Sequence, residues 1–211
     1  MSHAHPHDHA GPHPPQSDIE DAPFAYHQVL AQAIGNLLLA KAVFTADDLQ
    51  RSLESIDAAQ PAHAARLVAR AWLDPAFKDR LLADVNAAAP ELDLDAGAIP
   101  IRAIENTPAL HNVIVCTLCS CYPRMLLGLP PDWYKSRAYR SRVVREPRAV
   151  LAEFGTTITD DVELRVHDST AELRYMVVPL RPAGTESWDE ARLASIVTRD
   201  CLIGVAVPRL A

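Results

Sequence analysis

The chain has 211 residues, 49% of them hydrophobic and 22% charged, with a formal net charge of −7. A chain this long buries a core without disulfide staples, and its acidic balance argues against nucleic acid as the main partner. No run approaches the roughly 18 consecutive apolar residues of a membrane span. The N-terminus lacks the basic and apolar regions of a secretory signal, so the expected location is the cytoplasm, where thiols stay reduced.

Residues 1–22 are poor in apolar side chains and rich in proline, which predicts a disordered tail. His3, His5, His7, His9 and His13 lie in it, and their alternate spacing fixes no metal geometry. Residues 23–88 read as a helical arm. "FAYHQVLAQAIGNLLLAKAVF" has apolar residues at helical spacing. Thr45 is the expected cap of a second helix, with Asp47 and Asp48 in its first turn. "AHAARLVARAWL" reads as a third helix, and "DPAFKDRLLADVNAAA" as one more, capped by Asp74 with Pro75 at its first position. The apolar faces of the first helices suit either a partner subunit or the chain's own domain.

Residues 89–109 carry Pro, Gly and Asp and read as a linker. Residues 110–211 read as an α+β metal-binding domain. In it "ALHNVIVC" predicts a strand of β-branched residues, and "YPRMLLGLPPDWYKS" a run of turns. Pro147 and Gly155 bound a short helix. "DVELRVHDS" and "AELRYMVVP" alternate as paired strands do. Ser187 and Glu190 suggest a capping box, and "CLIGVAVP" a last apolar strand.

Three of the four cysteines, Cys116, Cys119 and Cys121, fall within six residues. A structural zinc site needs a second Cys/His pair, which is missing, since Cys201 stands far off in an apolar run. A redox Cys-x-x-Cys leaves Cys121 unexplained. A transition-metal claw explains all three. If the amides of Ser120 and Cys121 lose their protons, one loop offers three sulfurs and two nitrogens. That set suits a late transition metal and leaves one coordination position open. Around a trivalent ion it carries a net charge of about −2, so it needs cationic neighbours, from this chain or another.

"VCTLCSC" with "YP", "GLPPDWYKS", "AYRSR", "DSTAELRY" and "TRDCLIGVAVP" strongly resembles the α subunit of nitrile hydratase, from about Leu67 to the end. Thiocyanate hydrolase, through its γ subunit, is a close relative. The resemblance implies an N-terminal helical arm before a layered α/β domain of the α-chain type. It implies a hydro-lyase that hydrates a small-molecule nitrile to the amide, with no nucleic acid or membrane involved. Cys116 would be the unmodified axial thiolate, Cys119 a sulfinate and Cys121 a sulfenate. Ser120 and Cys121 would add their amide nitrogens, and Ser120 would also contact the substrate. Thr117 at the second motif position implies non-corrin Co(III), with Fe(III) the alternative. The expected partners are a β subunit, in αβ heterodimers or larger hetero-oligomers, and a cobalt-insertion activator. The β subunit would supply arginines to the sulfur oxygens.

Arg124 departs from the tryptophan that many cobalt nitrile hydratases carry after "CYP", and an arginine there also occurs in thiocyanate hydrolase. A cation beside the pocket favours an anion. Arg124 and Tyr122 are therefore candidate pocket residues, and hydrolysis of thiocyanate to carbonyl sulfide and ammonia is the alternative activity. A non-catalytic metal-binding or structural subunit is the third reading. Tyr134 and Tyr139 suit a channel or an interface. Arg165 and Arg174 read as surface charge on strands, and His111 and His167 as hydrogen-bonded histidines.

Overall fold

In a computed structural model, residues 25–210 are described; the histidine-rich tail expected over 1–22 lies outside them. The chain divides into two units at Gln50 and Arg51. The first helices are α1 (Tyr26–Ala40) and α2 (Ala46–Ala58). Thr45 starts α2 as expected: its hydroxyl accepts from the Asp48 amide at 3.1 Å, and the Asp48 carboxylate accepts from the Thr45 amide at 2.8 Å. No residue of α1 is buried. Leu30, Ile34 and Leu37 repeat at helical spacing and stay exposed, as do Leu49, Leu53 and Ile56 on α2.

Helix α3 (Pro61–Leu73) buries six of its 13 residues and packs on α4 (Pro75–Ala83). Asp74 caps α4 by accepting from the Phe77 amide at 3.0 Å. The helix expected to run through "DPAFKDRLLADVNAAA" is instead two. Asp84 takes extended backbone and caps α5 (Val85–Ala88), because a carboxylate that reaches the next free amide competes with helix continuation. A 3-10 turn follows at Ala89–Leu92, and then β1 (Ile101–Glu105), so regular structure occupies part of the segment read as linker.

Strand β2 (Leu110–Val115) forms where expected. Two short helices fold the turn-rich run, α6 (Arg124–Leu127) and α7 (Asp132–Lys135), followed by α8 (Arg137–Arg142) and α9 (Pro147–Glu153). Strands β3 (Glu163–Asp168) and β4 (Arg174–Val178) are present, but they do not pair with each other. β3 runs parallel to β2 with Val115 opposite Asp168, and β4 runs parallel to β1 with Ile101 opposite Arg174. Alternation predicts a strand and its faces but not its neighbour, and here two crossovers choose the neighbours. α4 and α5 pack on β1, α9 on β3, and the last helix, α11 (Arg199–Ile203), on β2 and β4.

Two expectations are corrected near the end of the chain. Helix α10 (Glu190–Ser195) is capped by Asp189, whose carboxylate accepts from the Arg192 amide, and not by Ser187. "CLIGVAVP" is not a strand: its first half is α11, capped by Thr198 and ended by Gly204 at φ +90°. A short apolar run buried on every side has no periodicity to separate strand from helix, and the Thr and Gly at its ends decide. Among the described residues no helix is long and apolar enough to cross a membrane.

Candidate metal centre

The parallel pair β2 and β3 ends at Val115 and Asp168, and the cysteine loop leaves from that carboxyl edge. Asp168 fixes the start of the loop. Its carboxylate accepts from the Thr117 amide at 2.9 Å and from the Thr117 hydroxyl at 2.6 Å. One tyrosine holds the loop and another the strand that leads into it. The Tyr134 hydroxyl donates to the Cys121 carbonyl at 2.9 Å, and that of Tyr139 to the Ile114 carbonyl at 2.7 Å. Their rings pack edge-on against Tyr122, Trp133 and Phe154. Burial pushes both phenols up, so they remain protonated donors. Tyr134 and Tyr139 therefore shape the loop rather than line a channel.

The three sulfurs converge. Cys116 Sγ lies 3.5 Å from Cys119 Sγ, and Cys119 Sγ lies 3.3 Å from Cys121 Sγ. All three ligand atoms fit within 4.8 Å of one another, the spacing of a set that shares one ion. Cys116 is buried, Cys121 half-buried and Cys119 exposed, so the claw opens on one side. Cys201 is buried in α11 beside Thr198 and is not part of the set.

The electrostatics of the loop follow from this convergence. The thiols of Cys121 and Cys116 and the amide of Ser120 all point at the Cys119 sulfur and hold its pKa down, to about 7. Burial, and then donation to Cys119, pushes Cys121 up to about 12. Among the described residues no backbone carbonyl accepts from the Ser120 or Cys121 amide. Both amides instead help hold down the Cys119 thiol, so the loop presents the sulfurs and amides that a claw requires. In metal-free protein, alkylation of Cys119 should rise as pH passes through about 7 and should precede that of Cys121. Peptide mapping after a pH series with iodoacetamide checks the order, and earlier labelling of Cys121 contradicts it.

Two cavities meet at Tyr122, Arg124 and Arg174. One, of about 530 Å³, is lined by Cys119, Ser120 and Cys121. The other, of about 210 Å³, is apolar, with Ile99, Ile101 and Met125 in its wall. Tyr122 is buried and its hydroxyl has no partner among the described residues. Arg124 is exposed and makes no ion pair among them. Arg165 is tied to Glu163 at 2.7 Å, as surface charge is.

Arg174 departs from that expectation and lines the claw cavity. No spacing in the chain announces it or Asp168, because both reach the loop only through strand pairing. His111 donates through Nε2 to the Gly204 carbonyl at 2.7 Å and accepts at Nδ1 from Asn106, while His167 pairs with Asn112 at 2.8 Å. Burial is the first cause that lowers both imidazoles, so they serve as neutral struts.

A mixed helix-and-sheet chain that gathers three thiols on one short loop is a candidate metal-binding subunit. The chain belongs to the nitrile hydratase α-chain family, whose model matches residues 25–206. It is 58% identical over 149 residues to the low-molecular-weight cobalt-containing nitrile hydratase α subunit of Rhodococcus rhodochrous, covering 70% of this chain and 72% of that one. It is 44% identical over 194 residues to the thiocyanate hydrolase γ subunit of Thiobacillus thioparus, covering 86% and 80%. Among solved structures, a recombinant thiocyanate hydrolase with partially modified cobalt centres superposes with TM-score 0.78 at 43% identity, covering 89% of this chain and 92% of that one. A double mutant of the Fe-type nitrile hydratase from Comamonas testosteroni Ni1 superposes with TM-score 0.71 at 41% identity, with the same coverage.

Proposed function

We propose that this chain is the metal-bearing α subunit of a cobalt nitrile hydratase. The observation that carries the reading is the convergence of Cys116, Cys119 and Cys121 on a loop whose Ser120 and Cys121 amides are left free of carbonyl partners. Those three sulfurs and two amide nitrogens would hold the ion. Bound there, Co(III) would supply Lewis acidity toward a C≡N group. The Ser120 hydroxyl orients the substrate. A water activated by a Cys121 sulfenate would attack the nitrile carbon, or the sulfenate oxygen would attack and a water would then break its S–O bond and restore the sulfenate, so either way one water is consumed and gives up a proton. The nitrogen gains the proton, and the resulting imidate tautomerises to the amide. Cys119, low in pKa and exposed, is the thiol best placed to be oxidised further, to a sulfinate.

The exposed apolar stripes of α1 and α2 suit a β subunit, which would also cover the open side of the claw. An activator protein would insert the cobalt. Thr117 supports cobalt over iron through the family pattern, as does the similarity to the cobalt-containing relative from Rhodococcus rhodochrous.

Arg124 favours a second reading, thiocyanate hydrolysis, because it puts a cation in the wall of the claw cavity. The test assays the protein, co-expressed with its neighbouring subunit genes, on an aliphatic nitrile and on thiocyanate, with cobalt measured per chain. Amide formation with about one cobalt per chain supports the first reading. Turnover of thiocyanate alone supports the second. Arg124→Trp should raise KM for an anionic substrate about tenfold and leave a neutral nitrile within a few-fold. Equal effects on both substrates would show that Arg124 does not discriminate by charge.

A further inference from the structure

This inference rests on the metal-claw reading and concerns the charge that such a claw carries. Arg174 opens β4, where its amide donates to the Pro100 carbonyl at 2.9 Å and its register sets it opposite Ile101. Alternate strand residues share a face, so Arg174 points to the same side as Met176, which is fully buried. The strand is buried on its other face too, at Val177, so the side chain stands among buried neighbours at the strand end. Its Nη1 is buried and has no hydrogen-bond partner among the described residues, and no carboxylate among them pairs with it.

A buried donor left without a partner is costly, because it has given up water and gained nothing in return. The surroundings show which anion relieves that cost. Arg174 lies in the shared wall of both cavities. The apolar cavity has no acidic residue in its wall. The claw cavity has one, Asp132, and its side chain is fully exposed and bridged to Lys135 at 2.8 Å. The same wall holds Cys119 and Cys121, whose sulfurs a bound ion would keep as thiolates.

We propose that Arg174 is a positioning residue of the claw, donating from its guanidinium to the Cys121 side and balancing part of the thiolate charge. The two arginines of the shared wall then divide the work. Arg174, anchored in a strand and partly buried, serves the claw. Arg124, exposed on a short helix, faces whatever enters. The cationic neighbours of this site are therefore not all supplied by a partner chain.

The test uses the full chain co-expressed with its subunit genes and loaded with cobalt, as wild type, Arg174→Gln and Arg174→Lys. Cobalt per chain after exposure to a chelator is measured, together with the sulfur-to-metal visible absorption band and the thermal unfolding midpoint. Arg174→Gln should retain the unfolding midpoint of the metal-free protein, shift the visible band, and lose cobalt retention about tenfold, the usual cost of removing an outer hydrogen-bond partner. Arg174→Lys should recover most of the retention, since it keeps the charge. An unchanged band and cobalt content in Arg174→Gln would overturn the inference. So would equal impairment of the Gln and Lys variants, which would mark a role in shape alone. A wild-type sample that takes up no cobalt would instead overturn the metal reading, and this inference with it.

Discussion

Cys121→Ala is expected to abolish cobalt retention and activity together. The substitution removes one of three sulfurs that lie 3.3–3.5 Å from their neighbours, and with it the oxygen-bearing group proposed to attack the substrate. Loss of outer-shell partners alone costs metal sites about 10–100-fold in affinity, so the loss of a direct ligand should exceed about a hundredfold. The fold should survive. Cys121 is only half-buried, and the bond that ties it to Tyr134 uses its backbone carbonyl, which alanine keeps. Metal analysis and visible absorbance of the purified complex check the first half of the prediction, and amide formation the second. Cys201→Ala is the internal control: that thiol is buried away from the claw, so the variant should keep its cobalt. Wild-type activity in Cys121→Ala would remove the claw from the mechanism.

Gly204→Ala is expected to be the most damaging glycine-to-alanine change among the described residues. Gly204 ends α11 at φ +90°, where an L side chain is strained. A Cβ there would overlap the Asn112 carbonyl oxygen and stand 2.9 Å from the Val113 Cα, both on β2. These are backbone atoms of a buried strand and cannot step aside as the tip of a side chain would. The Gly204 carbonyl also receives the His111 Nε2–H, so a shift of the helix end would strand a buried imidazole. Left-handed strain of about 1 kcal/mol and overpacking of about 1–3 kcal/mol together give about 3 kcal/mol. For a chain of this size that lowers the unfolding midpoint by about 10 °C. Because β2 carries the cysteine loop, cobalt retention should weaken as well. Thermal unfolding followed by circular dichroism tests this, and a midpoint within about 2 °C of wild type would show that β2 and α11 separate freely.

Some of this was legible before any fold was known. Asp74 and Thr45 announced helix starts because a cap bonds to amides two or three residues on, a local event. Strand β2 showed in its β-branched run. The cysteine cluster showed because its three thiols sit within six residues, so chain connectivity alone brings them together. Where several local signals competed, the reading failed. Asp84 broke a helix that helical spacing carried onward, Asp189 outcompeted Ser187 as a cap, and "CLIG" turned helical because a fully buried run shows no period.

By itself, then, the sequence determined the family, the cysteine cluster and most helix and strand positions, since each depends on residues close in the chain. Only the tertiary structure decided what surrounds the claw. Asp168 reaches Thr117 across 51 positions through the parallel pairing of β2 and β3. Arg174 reaches the claw cavity because β4 pairs with β1 and not with its sequence neighbour β3. Parallel strands require long crossovers, so the partners of a parallel strand are set by how helices and strands bury their apolar faces together. No local pattern encodes that choice.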